Sequence, residues 1–294
     1  MAYAKKPENP GGGKPPKEEP PADPVIAVVT PTGRGYNDLV VMNADGSNKV
    51  TVLEGYSIDT PSWSPDGTSI AFSEYYDELW TIDVVLDDDG VPIGENKFFL
   101  LDRMQGSPEW SPGGPYIDHI LITRYPGNGY SHTLEVVPAG GGNPIELYTD
   151  PEGTVWNAIW SPDGNKIAFV KSVGDVYSLE ILKVETGGAS YIIKSHDLPH
   201  WPNCMDWARQ RADYEITYSI RYKVRNKYVH ELWTADSENG NPTLLFRGDR
   251  PTWSPDDKLC FEYQGLRVHD FGTGESEQIS KWGYYPDWCR SVDG

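Results

Sequence analysis

The chain has 294 residues, enough for one large domain with a deep core and thin for two. Its 30 glycines, 25 prolines, 11 tryptophans and 18 tyrosines suit many short strands joined by tight turns, and no helical periodicity is sustained. A formal net charge of −19 repels phosphate backbones and excludes nucleic acid as a natural partner. No apolar run is long enough to span a bilayer, so no transmembrane helix is expected.

Residues 1–24 are rich in Pro, Gly, Lys and Glu and cannot bury enough surface to fold, so they are expected to form a disordered tail or linker. Their charges cancel, Lys5, Lys6, Lys14 and Lys17 against Glu8, Glu18, Glu19 and Asp23, which leaves the whole excess of acid on residues 25–294. The stretch has no apolar signal core. It suits either a cytoplasmic protein with a tail or an exported protein whose signal was replaced by the initiator Met. Spacers of this composition follow the lipid-anchored Cys of bacterial lipoproteins, which favours a periplasmic or cell-surface location.

Three strands are expected next, over Val25–Thr30, Leu39–Asn43 and Lys49–Leu53. A repeated turn follows. W-S-P-D-G occurs at Trp63–Gly67 and Trp160–Gly164, W-S-P-G-G at Trp110–Gly114 and W-S-P-D-D at Trp253–Asp257, with weaker copies at Trp207 and Trp288. The spacing is about 45 residues, the length of a four-stranded propeller blade. Pro presets φ at the first central position of the turn, Asp suits the second, and Gly accepts positive φ at the close. The Trp offers a flat apolar face of the kind that stacked units need at equivalent places, so its expected role is packing.

After each turn an apolar strand returns: Ile70-Ala-Phe-Ser, Ile120-Leu-Ile-Thr, Ile167-Ala-Phe-Val and Leu259-Cys-Phe-Glu. Six such units predict an all-β, six-bladed β-propeller over 25–294. Only three strands precede Trp63 and little chain follows Trp288. Tyr284–Trp288 is therefore expected to be the inner strand of the N-terminal blade, closing the ring without a free edge. Removing residues 284–294 should then cost far more stability than removing 1–22.

The W-S-P-D-G turn, the Ile-Ala-Phe strand and Leu39-Val-Val-Met-Asn-Ala-Asp-Gly-Ser-Asn resemble the WD-like repeats of the TolB-like propeller family, over residues 25–294. The resemblance implies a periplasmic propeller that binds a protein or peptide partner, such as an envelope lipoprotein, at the mouth of its central tunnel. Related propellers also serve as metal-dependent oligogalacturonate lyases, which makes a carbohydrate-processing enzyme the alternative.

No nucleophile elbow, phosphate-binding loop or H-E-x-x-H motif occurs, so binding without catalysis is the expected activity, without a cofactor and as a monomer. The residues ahead of each anchor Trp are expected to crowd one tunnel mouth. They give a candidate ligand-binding set of Asp59, Glu109, Trp156, Asn157, His200, Asn203, Arg250 and Tyr284. His196 and His200 lie in a loop dense in His, Asp and Cys and are weak metal candidates, although Pro199 forbids a helix that would align them. Asp87-Asp88-Asp89-Gly90 hints at calcium but lacks the ligand spacing of a calcium loop and reads as a solvated hairpin tip. Cys204, Cys260 and Cys289 allow at most one internal disulfide, and their state is open at this point.

Overall fold

A computed structural model describes residues 25–289, except 34–35, 55–56, 76, 126–131, 186, 188–189, 199–200 and 212–215. The expected tail over 1–24 lies outside the described residues, as does His200.

Six four-stranded antiparallel sheets follow one another. Blade 1 comprises β1 (Val25–Pro31), β2 (Asn37–Asn43) and β3 (Val50–Leu53), with β24 (Tyr284–Trp288) as its inner strand. Blade 2 is β4 (Ile58–Trp63) to β7 (Pro92–Leu101), through β5 (Ser69–Glu74) and β6 (Glu78–Leu86). Blade 3 runs from β8 (Met104–Trp110) through β9 (His119–Arg124) and β10 (Thr133–Pro138) to β11 (Ile145–Thr149). Blade 4 holds β12 (Thr154–Trp160), β13 (Lys166–Val173), β14 (Val176–Lys183) and β15 (Tyr191–Leu198). Blade 5 holds β16 (Pro202–Trp207), β17 (Ile216–Val224), β18 (Lys227–Asp236) and β19 (Gly240–Arg247). Blade 6 ends the series with β20 (Asp249–Trp253), β21 (Lys258–Glu262), β22 (Leu266–Asp270) and β23 (Glu275–Ser280). The inner strands contact one another in a closed circle, β24 beside β4 and, at the other side, beside β20.

The closure is the one the sequence predicts. Ile26 pairs with Trp288, Ala27 with Asp287 and Val29 with Tyr284. The core is divided among the six interfaces, one apolar cluster per pair of neighbouring blades. Every anchor Trp is buried, with exposures of 0 to 7% at Trp63, Trp110, Trp160, Trp207, Trp253 and Trp288. Each packs toward the preceding blade, Trp288 for example beside Cys260 and Leu266 of blade 6. The repeat period exists because the same flat side chain fills the same wedge six times.

The turns close as their residues dictate. In blade 2 the Gly67 amide bonds the Ser64 carbonyl at 3.0 Å, Gly67 has φ 72°, and the Ser64 hydroxyl donates to Asp66 Oδ1 at 2.6 Å. Blade 4 repeats the geometry, with Gly164 at φ 67°. Blade 3 differs, because its Gly113-Gly114 pair leads into a short 3-10 turn over Gly114–Tyr116 that buries Tyr116.

A hydrogen-bond relay also crosses the blade boundaries. The residue before the anchor Trp lends its side chain to the Trp amide of the next blade. Asp287 accepts from Trp63 N–H at 2.7 Å, Ser62 from Trp110 N–H at 2.9 Å, Asp206 from Trp253 N–H at 2.6 Å and Thr252 from Trp288 N–H at 3.4 Å. Blade 4 has Ile159 at this position, which offers no acceptor. The Trp207 amide instead bonds Asp206 of its own strand at 2.8 Å, so one carboxylate serves two blades. These amides are buried and each needs a partner.

Candidate functional site at the tunnel mouth

Each inner strand slips register at an equivalent point, between Asp59 and Ser62, Gln105 and Glu109, Trp156 and Ile159, Pro202 and Met205, and Asp249 and Thr252; β24 slips against β1 between Ala27 and Val29. At the slip the backbone turns left-handed, at Thr60 (φ 49°), Gly106 (76°), Asn157 (51°), Arg250 (49°) and Tyr285 (51°). A bulge at this point re-aims the side chains ahead of the Trp. Only blade 3 uses glycine for it; a side chain in this conformation costs roughly 1–2 kcal/mol.

The densest polar cluster forms where blades 5, 6 and 1 meet. Arg250 Nη1 donates to Glu262 Oε2 at 2.7 Å and Nη2 to the Tyr285 hydroxyl at 3.2 Å. The guanidinium lies 4.0 Å from the Tyr285 ring centre and 6.0 Å from that of Tyr284. The Tyr285 amide bonds the other Glu262 oxygen at 2.9 Å. Asp249 Oδ2 lies 2.7 Å from His230 Nδ1, and Asn203 reaches Asp249 Oδ1 at 3.4 Å. Burial pushes the Glu262 carboxyl up to about 7, with Arg250 opposing, and pushes the Cys204 thiol up to about 12. Burial likewise raises Asp59, partly offset by the Arg250 charge.

Glu262 is expected to titrate near neutrality. Its folded pKa lies above the 4.5 of a free glutamate, so its contribution to stability is complete below 4.5 and is lost as pH rises through about 7. Glu262→Gln should remove that slope from urea unfolding. A carboxyl-carbon NMR titration that finds Glu262 near 4.5 would count against this.

No family model matches the sequence. The Tol-Pal system protein TolB of Zymomonas mobilis is 33% identical over 89 residues, 28% of this chain and 18% of that protein. TolB from Acinetobacter baumannii superposes with a TM-score of 0.64 at 16% identity, over 90% of this chain and 66% of the other. A putative TolB from Agrobacterium tumefaciens gives 0.58 at 14%, over 88% and 90%. The ring shares the propeller fold of these TolB structures. An oligogalacturonate lyase from Vibrio parahaemolyticus shares the ring more distantly, at a TM-score of 0.50 and 11% identity over 89% and 80%. Identities this low speak to the fold alone. Among the described residues no helix is long and apolar enough to cross a membrane.

The propeller brings together Asn203, Arg250 and Tyr284 of the sequence-derived set, with Asp59 within electrostatic reach of Arg250. Trp156 stacks on Trp201 at 4.9 Å and 22°, and Asn157 donates to the Pro202 carbonyl at 3.1 Å, both tying blade 4 to the strand approach of blade 5. Glu109 sits deeper. It directly precedes Trp110, at the position that Asp206 and Asp287 occupy in the relay. His196 lies on the outer strand β15 rather than in a mouth loop. Its Nε2 is 3.0 Å from the Ser237 carbonyl, and its ring packs where a Cβ on Gly240 would stand. The described residues contain no group of three or more His, Cys, Asp or Glu suited to a metal. Asp87 Oδ1 accepts the amides of Asp89 and Val91 within its own hairpin tip. All three cysteines are free thiols.

Glu262 and His230 escaped the sequence reading, which looked only along the first strand of each blade. The pairing of Asp249 with Glu262 supplies the missing neighbour, and the Leu259-Cys-Phe-Glu repeat slot already marked its place. A second feature also escaped it. Tyr36, Tyr75, Trp201, Tyr228, Tyr263, Trp282 and Tyr284 are 38 to 68% exposed. All lie at second-to-third-strand hairpins or at the approach to an inner strand, which alternation of strand direction places on the mouth face.

Proposed function

We propose that this chain is a non-catalytic binding scaffold of the cell envelope that engages a protein partner through the mouth face of its TolB-like propeller. The observation that carries this reading is the gathering of seven exposed Tyr and Trp rings on the mouth face, against Tyr191 at the other end of blade 4 and Phe98 and Phe99 on the outer strand β7. Large rings left in water together favour association, since Trp and Tyr are the side chains that most often anchor interfaces. The likeness to a Tol-Pal system protein supports an envelope location and a protein partner. The Arg250–Glu262–Tyr285 cluster serves this role by fixing the rim of the mouth, since Glu262 holds both the Arg250 guanidinium and the Tyr285 amide.

The test is capture of envelope proteins on the immobilised chain, with Trp201→Ala and Trp282→Ala combined against Asp88→Ala and Asp89→Ala on the opposite face. The mouth variant should lose at least about tenfold of the captured partner and the control none. Equal capture by both, or metal-dependent release of unsaturated products from oligogalacturonate, would overturn the reading.

A further inference from the structure

Among the described residues nine lysines and arginines form ion pairs. Lys97 meets Glu74 at 2.6 Å, Lys171 meets Asp150 at 2.6 Å, Arg124 meets Glu135 at 3.3 Å and Lys258 meets Asp256 at 2.6 Å. The mouth face of blades 5 and 6 departs from this. Arg221, Lys223, Arg225 and Lys227 follow one another along the β17–β18 hairpin, Arg247 ends β19, and Lys281 follows β23. All six are exposed, and among the described residues none has a carboxylate within ion-pair distance. By the strand register Arg221 and Lys223 share the face of Tyr228 and His230, whereas Lys227 lies opposite Val224 on the other face and Arg247 lies opposite Glu231. Arg221 and Lys223 rest over the Tyr228 ring.

The hairpin tip carries a second sign. Val224 pairs with Lys227, so Arg225 and Asn226 form a two-residue turn, and both are left-handed, at φ 46° and 66°. Asn, Asp and Gly suit the first of these positions, whereas an arginine there is strained. The chain keeps a cation where the backbone favours a neutral or acidic residue.

Beside the hairpin lies a cleft of about 690 Å³, lined among others by Tyr228, Arg247, Tyr263, Lys281, Trp282 and Tyr284. The Arg221 guanidinium stacks 3.8 Å from the Tyr228 ring centre, which links the cationic edge to the aromatic wall. Rings in the middle and charges at the margin are the layout of a protein-binding surface. Asp249 and Glu262 also line the cleft. They oppose a polyanion of dense charge such as a polyuronate or polyphosphate more than a peptide whose carboxylates are spaced by apolar residues.

We propose that this cleft docks an acidic peptide segment of the partner, its carboxylates against the hairpin cations and its apolar side chains against Tyr228, Tyr263 and Trp282. The inference rests on the mouth-face reading above and specifies the chemistry of what binds there. Attraction between this basic corner and an acidic segment also sets orientation on a protein whose net charge of −19 would otherwise repel such a partner.

The test uses the full chain and a fluorescent twelve-residue peptide alternating Glu with Leu and Phe, followed by anisotropy. A Gln-for-Glu analogue serves as the neutral control, and Arg221→Glu with Lys223→Glu, both on the face of Tyr228, serves as the charge-reversed variant. Both residues are exposed, so the variant should melt with the parent. The acidic peptide should bind, weaken at least about tenfold in the reversed variant, and weaken further as salt rises from about 50 to 500 mM. The neutral analogue should not bind. Absence of binding, equal binding to the variant, or displacement by oligogalacturonate or polyphosphate at lower concentration than by unlabelled peptide would overturn the proposal. If partner capture still depends on Trp201 and Trp282 while the reversed variant binds the peptide unchanged, the cleft assignment fails and the mouth-face reading stands. If capture ignores the mouth face altogether, both fail.

Discussion

Truncation before Tyr284 should abolish cooperative folding of the ring. The lost strand supplies the whole inner edge of blade 1, pairing Trp288 with Ile26 and Asp287 with Ala27. It also removes Trp288, 1% exposed in the interface between blades 6 and 1, whose loss alone costs about 3–5 kcal/mol. Asp287 no longer accepts the Trp63 amide, and the Val25 carbonyl loses the Cys289 amide. Each buried backbone group left without a partner adds about 1–3 kcal/mol. Together these terms come to about 5–11 kcal/mol, comparable with the roughly 5–15 kcal/mol that holds a typical domain folded, and the exposed edge of β1 adds to them. Removing residues 1–22 touches none of the described strands and should leave the midpoint unchanged. Circular dichroism melts with gel filtration decide the matter. A truncated chain that stays monomeric and melts cooperatively within about 5 °C of the parent would show that closure contributes little.

The next largest effect is expected at Asp206. Its carboxylate, 6% exposed, accepts the Trp207 amide through one oxygen and the Trp253 amide through the other. Asp206→Ala orphans both amides at the two interfaces that flank blade 5 and should destabilise the protein by on the order of 4 kcal/mol. Asp206→Asn keeps one acceptor oxygen and should cost about half as much. Ser62→Ala orphans only the Trp110 amide and serves as the single-bond comparison. Urea unfolding of the three variants gives the ranking. Equal losses for Asp206→Ala and Ser62→Ala would mean that the double acceptance carries no weight. Ile159→Asp offers a rescue, because it restores an acceptor at the one relay position of blade 4 that lacks it.

Most of the architecture was legible in the sequence because it is written in a repeat. The anchor Trp, the Ser-Pro-Asp-Gly turn and the apolar return strand each obey local rules, so their recurrence gave the blades, their number and the stitching of Tyr284–Trp288 beside Val25–Pro31. Turn chemistry and strand alternation depend on a few neighbouring residues, and a periodic chain states them again and again.

What the tertiary structure alone decided is which side chains meet across blades. Glu262 joins Arg250 from the neighbouring strand of blade 6, His230 joins Asp249 from blade 5, and His196 lies at an outer strand against Gly240 instead of at the mouth. The register slips of the inner strands appear only in the strand pairing, and the double acceptance by Asp206 only where blade 5 meets blade 6. The gathering of exposed aromatic rings and of unpaired cations on one face has the same origin. Residues scattered from Tyr36 to Tyr284 share a surface only because strand direction alternates and the ring is closed, and neither distance nor charge pairing between such positions is carried by local sequence.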